Sequence, residues 1–506
     1  MKSIVIAIPS FCRSRTFLSN TYKLLEGTSH RKILFLENQF EADEYNSVLD
    51  LSDYDIIVTD TIGICDKRNF MKSYFKNNLQ EDLYVLFIDD DIEYFAKKDE
   101  NKTVKILLDD FIYKGFTACE EYKLNVWGIS TLTNGLFLKE NISTNLKYLQ
   151  GGMFGEIFRP HLDQVRCDID HFEDFEFTLE YYLRDGGVVR LNNICLKTQP
   201  WRSGGINESL GGLVNRKSTM IPNSKYLYDK YDPSLIKFKE KEWGLEPQLN
   251  FRHVHDIKIC IPSLGRPQLL KDTTMKLISH LNCEIYIFLS NHEDLINYKE
   301  IIGKGVHYIY SQAKGIGVVR TKIRNHFKPG TKIIMLDDDL IDIKQNSNPD
   351  NLYNLFNRMF DAMKIENTKF AGAIPCGNTF YMKPSYSTNL KYTGGHLIAE
   401  IIRERGDRID VQESHFEDYI TNILYFKKDK KLIRFNDVYV ETKYYNPNGG
   451  ICQFYGSLEE RLKDAEKLAL ELECKYEGYC KSVFKKGSSR VPPAWNLSLN
   501  HFKKEI

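Results

Sequence analysis

The chain has 506 residues, of which 42% are hydrophobic and 27% charged; this excludes a largely disordered polypeptide and exceeds one ordinary domain. Its 69 Lys+Arg balance its 69 Asp+Glu, so no chain-wide basic field holds nucleic acid, and any polyanion must be held by a local patch. No apolar run approaches the ~18 residues of a bilayer span, so no membrane partner is expected.

Lys2 to Ile8 is a short apolar run closed by Pro9. It is predicted as a buried first strand, being too short for a secretory apolar region and lacking a small-residue cleavage site. A helical pattern follows through Leu18, Leu24 and Leu25. Ile33 to Leu36 is predicted as the second strand, Ile56 to Val58 as the third and Arg68 to Phe75 as helix. Tyr84 to Ile88 is the fourth strand, running into Asp89, Asp90 and Asp91. Strands alternating with helices predict βαβ units and a mainly parallel sheet. Ligands of such sheets bind beyond the carboxyl ends of the strands, where Pro9, Ser10 and the Asp triplet fall. The eleven cysteines are scattered and form no C-x-x-C pair, which predicts free thiols in a reducing, cytoplasmic compartment.

The whole pattern then returns about 250 residues later. Ile6-Ala7-Ile8-Pro9-Ser10 and Arg13 recur as Ile259-Cys260-Ile261-Pro262-Ser263 and Arg266. Gly63-Ile64 and Arg68 recur as Gly315-Ile316 and Arg320, and the Asp triplet recurs as Asp337-Asp338-Asp339. Ser143 to Tyr148 returns unchanged as Ser387 to Tyr392, Gly151-Gly152 is matched to Gly394-Gly395, and His171-Phe172-Glu173-Asp174 returns unchanged as His415 to Asp418. Arg190 and Asn192 match Arg434 and Asn436. The order is kept while the spacing drifts by a few residues, which means two copies of one domain with small loop insertions. The expected division is a first copy over 1–206, a connector over 207–253, a second copy over 254–455, and a C-terminal helix and basic tail over 456–506. Ser457-Leu458-Glu459-Glu460 is a capping-box signature opening that helix. The connector echoes the tail, Phe238-Lys239-Glu240-Lys241 beside Phe484-Lys485-Lys486.

Acidic triplets often make polar turns, but here each ends a buried apolar strand in both copies. Alternation puts the first and third Asp on one face, and adjacent carboxylates call for a cation such as Mg²⁺ or Mn²⁺. Glu and Asp also suit the first turn of any helix; the unchanged four-residue motif favours a general base, Asp174 or Asp418. The His of each motif is either a metal ligand or a structural residue. A Gly turn before a helix carrying Arg68 or Arg320 offers backbone N–H groups and a guanidinium for phosphate. The tail 481–506 carries Lys485, Lys486 and Arg490 with Phe484 and Trp495 interleaved, a pattern able to neutralise DNA phosphates and stack on bases.

The order Ile-Pro-Ser-x-x-Arg, Gly-Ile…Arg, Asp-Asp-Asp, Gly-Gly and Glu-Asp resembles the nucleotide-sugar glycosyltransferases of the GT-A fold, over about residues 3–206 and 256–451. The resemblance implies an α/β chain of two tandem Rossmann-like GT-A domains followed by the helical, basic tail. It implies that Pro9, Ser10, Arg13, Arg68 and Asp89 serve a donor nucleotide in copy one, and Pro262, Ser263, Arg266, Arg320 and Asp337 in copy two. Asp91 and Asp339 would hold Mn²⁺ or Mg²⁺, with Asp89 and Asp337 near ribose or metal. Gly151, Gly152, Glu173, Gly394, Gly395 and Glu417 would line the sugar and acceptor, with Asp174 and Asp418 as the base of an inverting reaction. Ile261-Pro262-Ser263-Leu264-Gly265-Arg266-Pro267 looks most like the TET-associated glycosyltransferases of phages, which implies a UDP-sugar or similar donor and a hydroxymethylated pyrimidine in DNA as acceptor. A bifunctional bacterial transferase of surface polysaccharide synthesis is the enzyme alternative. A non-catalytic DNA-binding protein on the same scaffold is opposed by the intact motifs. Cys12 and Ser14 face Gly265 and Pro267 in the second copy, and Arg68-Asn69 faces Arg320-Thr321, so the copies are expected to differ in strength or donor.

Overall fold

The computed structural model describes residues 2–77, 79–198, 213–241, 244–346, 350–443, 458–486 and 494–500. The chain forms two compact units, Met1–His253 and Val254–Ile506. Each is a Rossmann-like α/β domain built on one large sheet.

In unit 1 the strands are β1 (Ile4–Pro9), β2 (Arg31–Leu36), β3 (Tyr54–Val58), β4 (Leu83–Ile88), β5 (Ile92–Asp99), β6 (Lys102–Ile106), β7 (Val126–Ser130), β8 (Ile142–Ser143), β9 (Met153–Phe158) and β10 (Val189–Thr198). Their order is β3-β2-β1-β4-β9-β7-β10-β5-β6, with β8 on β10. Strands β3, β2, β1 and β4 are parallel; β9 enters antiparallel to β4 and β7, and β10 is again parallel to β7. All six residues of β1 are buried, as a parallel strand covered on both faces requires. Ile4, Ile6 and Ile8 pack on one side with Phe17, Leu25 and Phe116. Val5 and Ala7 pack on the other with Met71, Phe75 and Phe177. This period of two makes three layers, with the helices Ile64–Lys76 and Glu173–Asp185 on the second face.

Unit 1 closes with a helix, Leu213–Lys230, and a hairpin of β11 (Ile236–Lys241) and β12 (Gly244–Leu249). Unit 2 repeats the plan with β13 (His255–Ser263), β14 (Cys283–Leu289), β15 (His307–Tyr310), β16 (Lys332–Leu336), β17 (Leu340–Gln345), β18 (Phe370–Ile374), β19 (Tyr386–Ser387), β20 (Leu397–Ile401) and β21 (Ile433–Thr442), in the order β15-β14-β13-β16-β20-β18-β21-β17. It too closes with a helix, Leu458–Lys475, and a hairpin, β22 (Cys480–Lys485) and β23 (Ala494–Leu499).

Three expectations change. The first helix is two short ones, Ser14–Ser19 and Thr21–Leu24. Lys485 sits in a paired strand rather than a loose tail, because Cys480, Leu497 and Leu499 dock on the core with Ala469 and Leu472 of the preceding helix. Phe484 lies opposite Trp495 and Phe238 opposite Pro247, so the strand register matches Lys241, not Phe238, with the Phe484-Lys485 stretch. Ser457 and Arg490 lie outside the described residues.

Candidate active site

The cleft of unit 1 lies beyond the carboxyl ends of β1 and β4, as the fold rule requires. Its volume is about 410 Å³, and Pro9, Ser10, Arg13, Lys67, Arg68, Asp89–Asp91, Gly151, Gly152 and Glu173-Asp174 are among its lining residues. The duplicated motifs therefore converge.

Strand β4 ends at Ile88, so the Asp triplet forms the turn into β5 and strand alternation no longer governs it. Asp90 turns inward, with 5% of its side chain exposed against 31% for Asp89. Ser10 Oγ donates to Asp90 and lies 2.6 Å from the Tyr45 hydroxyl. Arg13 Nη1 bridges Asp90 at 3.0 Å and Asp91 at 3.1 Å. Unit 2 repeats this: Ser263 Oγ donates to Asp338 at 2.5 Å and pairs with Tyr298 at 2.7 Å, and Arg266 holds Asp338. The two serines thus act on the nearby Asp, which their burial explains. Burial pushes Asp91 up to about 7, with the Asp89 charge adding to it and Arg13 opposing.

Cys12 has φ 52° and Gly265 has φ 65° at the equivalent bend after the first strand. That bend needs the left-handed region, where glycine is at ease and cysteine strained, which accounts for the difference between the copies.

Arg68 forms a clamp. Its Nη2 donates to Asp89 at 2.8 Å and to the Gly151 carbonyl at 2.7 Å, and its Nη1 donates to Glu173. Arg320 does the same with Asp337 at 2.7 Å, the Gly395 carbonyl at 2.6 Å and Glu417. A Cβ on Gly151 would lie 2.7 Å from both Arg68 Nη1 and Glu173 Oε1; the glycine is there to let the clamp reach the backbone. One guanidinium faces three carboxylates, Asp89, Glu173 and Asp174. Burial accordingly pushes Glu173 up to about 8 and Glu417 up to about 7, against the pull of Arg68 and Arg320.

The clamp also corrects the register of the Gly pairs. Asp89 N–H donates to the Gly152 carbonyl and Asp337 N–H to that of His396. Gly151 therefore corresponds to Gly395, and Gly152 to His396; Gly394 stands where unit 1 has Gln150. His396 Nδ1 lies 2.8 Å from Asp337 Oδ2. Burial alone would raise Asp337, but Arg320 and then His396 hold it at about 2. A one-residue slip in matching two short Gly runs hid this histidine from the sequence.

Asp174 and Asp418 accept hydrogen bonds from the Tyr148 and Tyr392 hydroxyls, and burial raises both carboxyls. Neither tyrosine was singled out in the sequence, although each ends the six-residue stretch repeated without change. Phe172 and Phe416, just before the two helices, have φ 69° and 58°. A phenylalanine held in the left-handed region in both copies is stored strain of the kind found at functional sites. Lys67, also missed, lines the cleft and donates to the Ser10 carbonyl at 2.7 Å.

The helix N-terminus after Gly63 is not open to phosphate throughout: Cys65 N–H donates to Asp170 at 2.8 Å. His171 packs edge-on against Phe172 at 4.4 Å, and His415 Nε2 lies 3.8 Å from Asp464. Arg190 and Arg434 bond Asn192 and Asn436, which tie down Ser143 and Ser387; this repeated set is a structural brace. In unit 2, Lys485 and Asn496 of the hairpin line a second pocket with Tyr392, Gly394, His396, Tyr419 and Tyr439, of about 240 Å³. Lys486 is exposed and does not line it.

Among the described residues no three His, Cys, Asp or Glu side chains form a protein-only metal cage. Mg²⁺ does not need one, since it is commonly held by one or two carboxylates with substrate phosphates and water. Asp89 and Asp91 fit that pattern, as two carboxylates that repel each other at an open cleft. Among the described residues no helix is long and apolar enough to cross a membrane.

No family model and no curated protein matches the chain. Solved structures similar to it include a protein described as a nucleotide-diphospho-sugar transferase from Desulfovibrio desulfuricans G20, at 8% identity and TM-score 0.24, covering 36% of this chain and 80% of that one. They include the 4-diphosphocytidyl-2C-methyl-D-erythritol synthase of Anaerococcus prevotii DSM 20548, at 10% identity and TM-score 0.21, covering 37% and 91%. They also include the glycosyltransferase GlyE of Streptococcus pneumoniae TIGR4, at 10% identity and TM-score 0.21, covering 67% and 91%. Likenesses this weak carry no weight for function, which rests on the residues of the cleft.

Proposed function

We propose that the chain is a tandem glycosyltransferase that moves a sugar from a nucleotide-diphosphate donor to a hydroxyl acceptor with inversion. One observation carries this reading: in each unit a single buried arginine ties the first Asp of a strand-end triplet to the Glu of a helix-start Glu-Asp pair. On this reading the clamp holds the acidic turn that would carry the donor's metal and the helix start that bears Asp174 on one cleft.

Asp174 takes the proton from the acceptor hydroxyl, whose oxygen then attacks the anomeric carbon while the bond to the diphosphate breaks. The proton leaves on Asp174, and the electron pair leaves with the nucleoside diphosphate. Tyr148 holds the Asp174 carboxylate in place. Ser10 and Arg13 fix Asp90 and Asp91, and Arg68 orients Asp89 and Glu173. Asp89 and Asp91 would hold Mn²⁺ or Mg²⁺, which when bound supplies positive charge against the leaving diphosphate. Asp337, Asp339 and Asp418 take the corresponding parts in unit 2, with the His396 imidazole beside Asp337.

Lys67 and Arg13 offer further positive charge to the donor phosphates in unit 1. The acceptor we favour is a hydroxymethylated pyrimidine of phage DNA, or a sugar already on it. Lys485 and Lys486, with Arg490 close to them in sequence, would supply the local positive charge that a neutral chain needs for DNA.

The test is nucleoside mass spectrometry of hydroxymethylated DNA incubated with the protein, Mn²⁺ and a panel of nucleotide sugars. A mass increment of one or two sugars is the expected result. Donor turnover without any change in the DNA would move the acceptor to a surface glycan. Neither transfer nor donor hydrolysis with any donor would overturn the transferase reading.

A further inference from the structure

The pocket of about 240 Å³ in unit 2 differs from unit 1 at three separate places. Tyr439 lines it at the position of Cys195, since Ile374 pairs with Tyr439 as Ser130 pairs with Cys195. Room for that ring comes from Gly377: a Cβ there would lie 2.5 Å from the Tyr439 ring, and the equivalent residue of unit 1 is Thr133. The equivalence follows from the next residues, Asn134 and Asn378, which make the same turn bonds to Leu136 and Phe380. His396 replaces Gly152, as described above.

The third change concerns charge. Lys241 and Lys485 hold the same hairpin position, opposite Gly244 and Ala494, and Glu246 and Asn496 hold another. In unit 1 Lys241 Nζ lies 3.5 Å from Glu246. In unit 2 the carboxylate has become the amide of Asn496, and the described residues give Lys485 no such ion pair. Lys485 is exposed and still lines the pocket. The walls are aromatic, with Tyr392 and Tyr419 stacked at 4.1 Å, and Tyr392 bonds Asp418. An aromatic wall suits the face of a sugar or base. A lysine relieved of its own carboxylate suits a phosphate.

We propose that this pocket is an acceptor subsite specific to unit 2. It takes the ring of a phosphate-bearing acceptor against Tyr392, Tyr419 and Tyr439, with the phosphate on Lys485; unit 1, with its Lys241–Glu246 pair, lacks this selectivity. The proposal rests on the transferase reading for the word acceptor, but the binding it describes is independent of transfer.

The test is equilibrium binding to the full-length protein, without donor, of two matched pairs: 5-hydroxymethyldeoxycytidine with its 5′-monophosphate, and glucose with glucose 6-phosphate. The phosphorylated member of at least one pair is expected to bind about tenfold tighter, the scale of one charge-assisted contact. That ratio should fall close to one in Lys485→Ala and in Asn496→Glu, which installs the neutralising pair of unit 1, and should persist in Lys241→Ala. A preference confined to the nucleotide pair identifies a nucleic-acid acceptor, and one confined to the hexose pair a phosphorylated glycan. Equal binding of both members of both pairs, or a ratio unmoved by Lys485→Ala and Asn496→Glu, overturns the proposal. Thermal melts verify that the variants are folded. If phosphate preference is present but no sugar is transferred to any compound, the transferase reading fails and the subsite stands.

Discussion

The imidazole of His396 lies 2.8 Å from the Asp337 carboxylate, at the place Gly152 takes beside Asp89 in unit 1. Unit 2 thus carries an ionisable imidazole where unit 1 has a glycine. Burial disfavours the imidazolium, but Asp337 outweighs it and raises the His396 pKa above 6.5. The pair therefore stabilises unit 2 fully between the ordinary aspartate value of 3.8 and that ordinary histidine value, and is lost as pH rises through the raised histidine one; at the acid end it declines below 3.8 and is gone as pH falls through about 2. The stability difference between wild type and His396→Gly should be largest at about pH 6 and shrink toward pH 9, as followed by thermal melts. A difference that stays flat over that range would show that the pair is not ionic. In the reverse exchange, a Cβ at Gly152 meets its nearest neighbours at 3.7–3.8 Å, so Gly152→His should fold and make unit 1 titrate like unit 2.

Removal of divalent ions with EDTA should abolish transfer, and Mn²⁺ or Mg²⁺ should restore it. Asp91→Ala and Asp339→Ala should differ: if the units act in succession, one variant stops at a single added sugar and the other adds none. Identical, complete loss in both would mean that the units share one task. Full activity in chelator would remove the metal from the mechanism.

Asp174→Asn keeps the shape of the carboxyl and removes its basicity. Transfer by unit 1 should drop by about 10²–10⁴-fold, with donor affinity little changed. Because burial raises Asp174, the acid limb of the rate profile should sit above the ordinary aspartate value of 3.8. The rate falls as pH drops through that limb, since the base must be ionised. A limb at or below the ordinary value would place the base elsewhere.

Arg68→Met leaves the largely buried Glu173 and the half-buried Asp89 without their shared cation. Breaking a buried pair in this way costs about 3–5 kcal/mol, so urea should unfold unit 1 well before unit 2. A single unshifted transition would show that the clamp does not support the fold.

Gly63 has φ +90°, and a Cβ there would lie 2.7 Å from Asp170 Oδ1; Gly27 has φ +81° with nothing within 4 Å. Both alanine variants bear the backbone penalty of the left-handed region, roughly 1–2 kcal/mol. Gly63→Ala should lose more stability than Gly27→Ala in parallel denaturation curves, and should also loosen the loop ahead of Glu173. Equal losses would remove the Asp170 contact as a constraint.

The central strands and the duplication were legible because buried parallel strands leave continuous apolar runs, and because motifs in fixed order survive loop changes. The antiparallel β9 was not legible: Met153 to Phe158 reads like any buried strand, and only its neighbours set its direction. Convergence of the Asp triplet on the Glu-Asp pair was expected only through the resemblance to the GT-A transferases, because nothing in the spacing brings that strand end and that helix start together. The arginine that joins them did not, because a residue beside a Gly turn reads as a phosphate ligand until its distant carboxylates are seen. Tyr148 and Lys67 were missed for the same reason, being defined by contacts remote in sequence. Lys485 was noted for its charge, but its setting depends on hairpin register, which a two-residue echo in sequence does not fix.

Each unit ends in its own helix and hairpin. The Asp triplet, the arginine clamp and the Glu-Asp pair likewise exist twice in one polypeptide, at a fixed one-to-one ratio and under the same expression and buffer. A substitution at a position of one unit can be read against its twin in the same molecule, so the chain carries an internal control that two separate enzymes never provide. Exchanging residues 152 with 396, 195 with 439 and 246 with 496 would trace, one step at a time, what each difference between the two copies does to binding.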